Sequence, residues 1–212
     1  MPDTIGYAEV ERMIGAAASI IRENHELLSQ LDSATGDGDH GVSMLRAAEA
    51  MAAAVEEDSS GEIPKLLHAV GWGIMCVDGG STGPLFGSLF MGLSEGVGED
   101  TSLDAAATAA MFEAGMAKIQ KQSKAQVGDK TMMDALIPAV EAMRKAADDG
   151  QDAGAALAAS AEAAKKGAEA TADMQAKFGR ARNLGDRTIG HVDPGATSMS
   201  LLFKGFSEGA AG

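Results

Sequence analysis

Apolar residues recur at helical spacing through most of the chain. The first such stretch, from about Tyr7 to Leu31, has one apolar face formed by Val10, Met13, Ile14, Ala17, Ile20, Ile21, Leu27, Leu28 and Leu31. Segments rich in Gly, Pro, Asp or Ser separate it from similar stretches at about 42–56, 62–77, 84–97, 103–122, 131–147, 152–173 and 196–209. The pattern therefore predicts eight helices.

Several of these helices have recognisable starts. Residues typical of a first helical turn mark three of them: Glu62 with Pro64, then Pro84, and then the segment Ser102 to Asp104. The connections are short, and short connections favour antiparallel neighbours. We therefore predict an all-α fold, an eight-helix antiparallel up-and-down barrel or bundle that forms a single domain over residues 1–212, with the informative loops at its ends. The Ala-rich stretch 151–170 is expected to be a packed helix.

Composition supports helices and narrows the choice of partners. The 45% apolar share comes mainly from Ala, Leu and Met rather than from residues that favour strands. The net charge is −14, with 17 basic and 31 acidic residues and no basic run, so nucleic acid is not an expected partner. A bound metal ion would reconcile this charge with phosphate binding.

The chain is expected to be cytoplasmic. Its N-terminus lacks the pattern of a signal peptide, and no apolar run approaches the roughly 20 residues of a membrane span, so no membrane partner is expected. The single cysteine, Cys76, lies within an apolar stretch, and we expect a buried, inert thiol in a reducing compartment.

The first candidate loop, LDSATGDGDHG at residues 31–41, carries closely spaced carboxylates. Asp32, Asp37 and Asp39 lie within this glycine-containing segment. Hard cations such as Mg²⁺ and Ca²⁺ bind several carboxylate oxygens, so the three aspartates are candidate metal ligands. An EF-hand is excluded because the twelfth position counted from Asp37 is Ala48 rather than Glu. The alternative is that the aspartates only form turns and cap helices.

His40 and Gly41 stand directly before the next amphipathic stretch. A helix N-terminus attracts phosphate oxygen, so this position suits a phosphate contact. A capping or packing histidine is the alternative.

Two further loops also precede predicted helices. The segment DGGSTGP, 78–84, offers open backbone amides and the hydroxyls of Ser81 and Thr82, although it has no Walker A lysine. By itself it could be an ordinary glycine turn. The segment GDKTMMD, 128–134, adds a basic residue, a hydroxyl and two methionines that could cover an adenine ring or belong to the core.

A fourth loop, GRARNLGDRTIGHVDPG at 179–195, concentrates three arginines in an acidic chain. The arginine fork suits phosphate or carboxylate recognition, and Asp193-Pro194-Gly195 is a stiff turn before the last helix. Local ion pairs on a surface loop are the alternative. Long loops in compact domains are more often functional than short ones.

Together, GDGDHG at 36–41, GGSTGPLFG at 79–87, GDKTMMDAL at 128–136 and GRARNLGDRTIGHVDPGATS at 179–198 closely resemble the nucleotide-binding L subunit of dihydroxyacetone kinase. The likeness covers nearly the whole chain, in order. It implies an eight-helix barrel that holds ADP or ATP at one end through two Mg²⁺ ions.

The resemblance also implies roles for individual residues. The metal ligands would be Asp32, Asp37 and Asp39, and His40, Gly41 and Ser43 would lie at the phosphates. Ser81 and Thr82 would form the second phosphate turn. The positions around the adenosine would be Gly128, Thr131, Met132, Arg180, Asp193, Pro194 and Gly195. Arg180 is also a candidate phosphoryl contact, whereas no residue is assigned as an acid or base.

In this family the ketose is bound covalently by a histidine of a separate K subunit, so the resemblance implies half of a kinase. The nucleotide would either stay bound and be rephosphorylated by a phosphohistidine protein of a phosphotransferase system, or exchange as free ATP in each turnover. The length of the chain favours the first mechanism. Triose or tetrulose kinases of the second type stay open, as does a regulatory module that binds a transcription factor. The sequence leaves homodimer formation open.

Overall fold

The computed structural model describes residues 2–77 and 80–212. Regular structure in these ranges is almost entirely helical, which confirms the all-α prediction. A two-residue antiparallel pairing joins β1 (Ile5–Gly6) to β2 (Ser102–Leu103), and 3₁₀ segments span Thr171–Asp173 and Ala181–Thr188. The helices are α1 (Tyr7–Glu23), α2 (His25–Thr35), α3 (His40–Glu57), α4 (Ile63–Met75), α5 (Thr82–Val97), α6 (Ala105–Gln120), α7 (Met133–Asp148), α8 (Ala153–Ala170) and α9 (Pro194–Ala211).

The prediction of one helix from Tyr7 to Leu31 was wrong, because the chain breaks at Asn24. Its side-chain amide donates to the carbonyl oxygen of Ile20 at 2.7 Å, and its backbone leaves the helical region, with φ −107° and ψ 8°. Asparagine competes with helical hydrogen bonding in this way. Apolar spacing continues across the break, so the pattern alone could not reveal it.

Eight of the described helices form a closed ring. Helices α3 to α9 pack as neighbours in chain order, α1 packs on α3, and α9 returns to α1. The last contact is antiparallel: on α9, Gly205 lies against Ala17 of α1, and Gly209 lies against Met13. Helix α2 packs on α3 and α9. This arrangement confirms the predicted barrel and makes α2 an additional segment.

The apolar faces of the ring meet in one core. Phe112, Phe203 and Phe206 pack with ring centroids 5.4–6.1 Å apart, and Phe90 joins them edge-on at 6.0 Å from Phe206. Such edge-to-face contacts stabilise a core beyond simple burial. The Ala-rich α8 packs tightly on α7, as predicted, because Gly167 leaves no room for a side chain against the backbone of Asp134.

Two local predictions need correction. Asp104 does cap α6, accepting a hydrogen bond from the Ala107 amide at 2.8 Å, but Ser102 belongs to β2 rather than to the helix. Cys76 is exposed, not buried. It follows the core residue Ile74 by two positions at the end of α4, so it lies on a part of the helix surface that faces away from the core. Glu62 and Pro64 begin α4 as predicted. Among the residues described, no helix is long and apolar enough to cross a membrane.

Candidate functional site

An open cleft of about 410 Å³ lies at the end of the barrel where α3, α5, α7 and α9 begin. Its walls come from all four loops that the sequence analysis selected, although they are distant in the chain. Asp78 and Gly79 of the second loop lie outside the described residues, so Gly80, Ser81 and Thr82 represent that loop here.

Three carboxylates converge on one side of the cleft. Asp32 is in the last turn of α2, Asp39 directly precedes α3, and Asp37 lies between them; each offers an oxygen within 4.8 Å of the others. Gly36 keeps this arrangement open, since a side chain there would overlap the Asp32 carboxylate. Gly38, at φ +80°, permits the turn between the two later aspartates.

This donor set fits a hard divalent cation. It is composed of oxygens, and Asp37 and Asp39 are exposed to the cleft and to solvent. The guanidinium of Arg180 forms an ion pair with the Asp37 carboxylate across the cleft. The fourth loop therefore brings positive charge to the first loop, residues 31–41, which we call the acidic loop.

His40 connects the acidic loop to two other elements. Its Nε2 lies 3.1 Å from the Ser198 hydroxyl on α9, and its Nδ1 lies 3.5 Å from the Thr82 hydroxyl on α5. Its backbone amide donates to Asp32 at 3.2 Å. Burial lowers the pKa of His40, while the nearby Asp32 charge acts to raise it. The lowered pKa favours a neutral imidazole at pH 7.

The neighbours of His40 differ in position. Ser43, one turn later, is buried and lines the cleft. Gly41 instead faces α2, where a side chain would overlap the carbonyl of His25 and the hydroxyl of Ser29. Close packing of α3 on α2 is thus enough to explain the glycine at this position.

Four helix N-termini surround the cleft and oppose its acidic charge. Ser81 directly precedes α5, Met132 directly precedes α7, and Asp193 precedes α9, while α3 begins at His40. The first-turn amides and the helix dipole make each of these ends attractive to an anion. Phosphate groups can therefore approach a cleft whose described lining includes the carboxylates of Asp32, Asp37 and Asp39 and also that of Asp193.

Another part of the cleft wall joins the third and fourth loops. Thr131 and Met132 line it together with Asp193, Pro194 and Gly195. Asp193 caps α9, accepting from the Ala196 amide at 2.7 Å. Burial raises the pKa of Asp193 to about 7. Gly128 is not among the residues that line the cleft. Its φ is +93° and its amide donates to Asp134 at 2.6 Å, so its role is to shape the loop.

Residues that the sequence analysis did not assign also line the cleft. Lys130 is only 2% exposed, whereas Phe178 has 38% of its surface exposed. Phe178 directly precedes the Gly179-Arg180 motif, a position that could have indicated it. Others in this set are Thr35, Leu85, Phe86, Ser123 and Ala125.

Comparison with known proteins agrees with this architecture. The DAK2 domain matches residues 34–208. The ADP-binding subunit DhaL of PEP-dependent dihydroxyacetone kinase 1 from Listeria innocua is 37% identical over 183 residues, 86% of each chain. The L-erythrulose 1-kinase of Mycolicibacterium smegmatis is 37% identical over 194 residues, 89% of this chain and 33% of the relative.

A solved structure shows the same fold. The dihydroxyacetone kinase of C. freundii in complex with AMP-PNP and Mg²⁺ aligns with a TM-score of 0.72 and 25% identity, covering 94% of this chain. This chain spans only 33% of that kinase. The chain therefore belongs to the DAK2-domain family of dihydroxyacetone kinases, as a relative of their ADP-binding DhaL subunits.

Proposed function

We propose that this chain, as a single nucleotide-binding domain, carries ADP or ATP and presents its terminal phosphate to dihydroxyacetone held on a separate K subunit. The observation that carries the proposal is the convergence of Asp32, Asp37 and Asp39 within 4.8 Å beside four helix N-termini. Carboxylates that hold Mg²⁺ and amides that attract phosphate are the two requirements for binding a metal nucleotide.

Each group of residues then has a defined task. Asp32, Asp37 and Asp39 would hold two Mg²⁺ ions, which neutralise the charge of the phosphates when bound. Around the phosphates, His40, Ser43, Ser81 and Thr82 would supply hydrogen bonds, and Arg180 would add positive charge. The wall formed by Thr131, Met132 and Asp193-Pro194-Gly195 would contact the adenosine. These residues position the reaction, and none needs to act as an acid or base.

Exposed apolar surface supports a partner chain at the cleft. The large apolar side chains that the described residues leave exposed lie near this end of the barrel, and Trp72 is the most exposed, at 60%. Apolar groups gathered at one face are typical of a protein interface. We propose that the K subunit covers this face, which comprises Leu27, Val42, Trp72, Met75, Val127, Phe178 and Ile189.

A phosphohistidine donor is the preferred source of phosphate. The Listeria innocua relative, which is named as the ADP-binding subunit of a PEP-dependent kinase, matches this chain over 86% of its own length. The erythrulose kinase match covers 33% of a much longer chain. That second similarity nevertheless favours testing free ATP as the donor and a tetrulose as the substrate.

A turnover assay with the cognate K subunit tests the proposal. Dihydroxyacetone and L-erythrulose are each supplied with either a phosphohistidine donor protein or free ATP, and ketose phosphate is measured. We expect phosphorylation of dihydroxyacetone with the phosphohistidine donor, and its loss in Asp37→Ala. Asp100→Asn, an exposed substitution at the opposite end, is the matched control. If no ketose is phosphorylated although Mg·ADP binds, the chain is a nucleotide-sensing module.

A further inference from the structure

The third and fourth loops meet at a buried lysine. The ammonium of Lys130 donates to the carbonyl oxygen of Thr171 at 2.6 Å and also to the carbonyl oxygen of His191. These acceptors lie 41 and 61 residues further along the chain. A single side chain thus joins the loop before α7 to the end of α8 and to the loop before α9.

The backbone at Lys130 adopts an unusual conformation for a residue with a side chain. Its φ is +58°, in the left-handed region that usually favours glycine. The residue is also 2% exposed, whereas lysine is almost never fully buried unless it is paired. Both features cost free energy, so the contacts of the ammonium must compensate for them.

The hydrogen bonds continue from Lys130 to the turn Asp193-Pro194-Gly195, which is part of the wall proposed to contact the adenosine. The Thr171 hydroxyl accepts from the Asp193 amide at 2.8 Å, and the Asp193 carboxylate accepts from the Ala196 amide at 2.7 Å. This fixes the turn Asp193-Pro194-Gly195, which lies against Met132. Burial lowers the pKa of Lys130, while the charges of Asp193, Asp134 and Asp173 act to raise it.

We propose that Lys130 is a positioning residue for nucleotide binding: it holds the Thr131-Met132 segment and the Asp193-Gly195 turn together as one preformed wall. The inference rests on the proposed function, because that wall is where the adenosine would lie. Lys130 would act through the backbone of these loops, and a preformed wall reduces the ordering that nucleotide binding would otherwise require.

The substitution Lys130→Met tests this role, with Lys177→Met as the matched control. Lys177 lies two residues before the fourth loop and contacts the third loop through an exposed ion pair with Asp129 at 2.8 Å. Hydrogen exchange is followed by mass spectrometry in the metal-free chain, and Mg·ADP affinity is measured by calorimetry. Lys130→Met should increase exchange in residues 128–132 and 188–196 while leaving residues 32–43 unchanged, and should weaken Mg·ADP binding by about tenfold or more. Lys177→Met should change neither measurement.

Three results would overturn the proposal. They are unchanged exchange at both loops, an equal increase at residues 32–43 that shows general loosening, or Mg·ADP affinity within about twofold of the wild type. If the wild-type chain itself fails to bind Mg·ADP, the nucleotide function fails, while the exchange experiment still tests the cross-link. Should Lys130→Met not fold, Thr171→Val removes the hydroxyl acceptor of the Asp193 amide, while the Thr171 carbonyl can still accept from Lys130. This variant should increase exchange in residues 188–196 with a smaller loss of affinity, and no change in either measurement would also overturn the proposal.

Discussion

Asp193 couples the folding of this chain to pH. Burial raises its pKa to about 7, from an ordinary value of 3.8, so between these values the folded chain holds a proton that the unfolded chain has released. The contribution of Asp193 to the free energy of unfolding should therefore fall as pH rises from about 4 to about 7, by up to roughly 1.4 kcal/mol per pH unit.

Urea unfolding at several pH values measures this effect. The difference in unfolding free energy between wild type and Asp193→Asn should favour wild type most near pH 4 and decline toward pH 7. Asparagine is a suitable comparison because it caps helices as well as aspartate does. A difference that is constant with pH would contradict the raised pKa.

Cys76 should react readily in the folded chain. It is exposed at the end of α4, so a thiol reagent should modify one group per chain without denaturant. The Cys76→Ser variant supplies the background. Reaction that appears only after unfolding would show that this end of α4 is covered.

Residue-level prediction from the sequence succeeds where the contacts are local. Asp32, Asp37 and Asp39 are separated only by a short glycine-containing turn, so their convergence could be anticipated. The burial of Lys130 could not, because its two carbonyl acceptors come from distant segments and lysine is normally exposed. The exposure of Cys76 likewise depends on how α4 is rotated about its axis relative to the core, which the local sequence does not specify.

At the scale of helices, the contact between α1 and α9 depends on small residues. A side chain at Gly205 would overlap the backbone of Ala17, whereas one at Gly15 of α1 would meet nothing within 4 Å. Gly205→Ala should therefore lower the free energy of unfolding by about 1–3 kcal/mol. Gly15→Ala should raise it by about 0.5–1 kcal/mol, because alanine favours the helix.

Chemical denaturation of both variants measures these opposite effects. Equal losses of stability would contradict the close approach of α1 and α9. The periodicity of the sequence predicted α9 and a first helix that wrongly merged α1 with α2, but the antiparallel contact at glycine depends on closure of the ring. The break at Asn24 was missed for a related reason, since apolar spacing records which face is buried and not whether the axis continues.

At the scale of the whole molecule, the fold offsets the repulsion that an acidic chain exerts on a nucleotide phosphate. A net charge of −14 opposes nucleotide binding, yet the antiparallel ring places the starts of α3, α5, α7 and α9 around one cleft. Their amides and the Arg180 guanidinium supply positive potential beside the acidic loop. The ring could be predicted from periodicity and short loops; the detailed pairing across the cleft required the structure.

Calorimetric titration with ADP tests the central claim most directly. The wild-type chain should bind ADP with Mg²⁺ present and should lose that binding in EDTA. Asp37→Ala should weaken Mg·ADP binding by about 100-fold, or roughly 2.7 kcal/mol, while Asp100→Asn should not change it. Unchanged affinity in Asp37→Ala, or equal ADP affinity with and without Mg²⁺, would contradict the account.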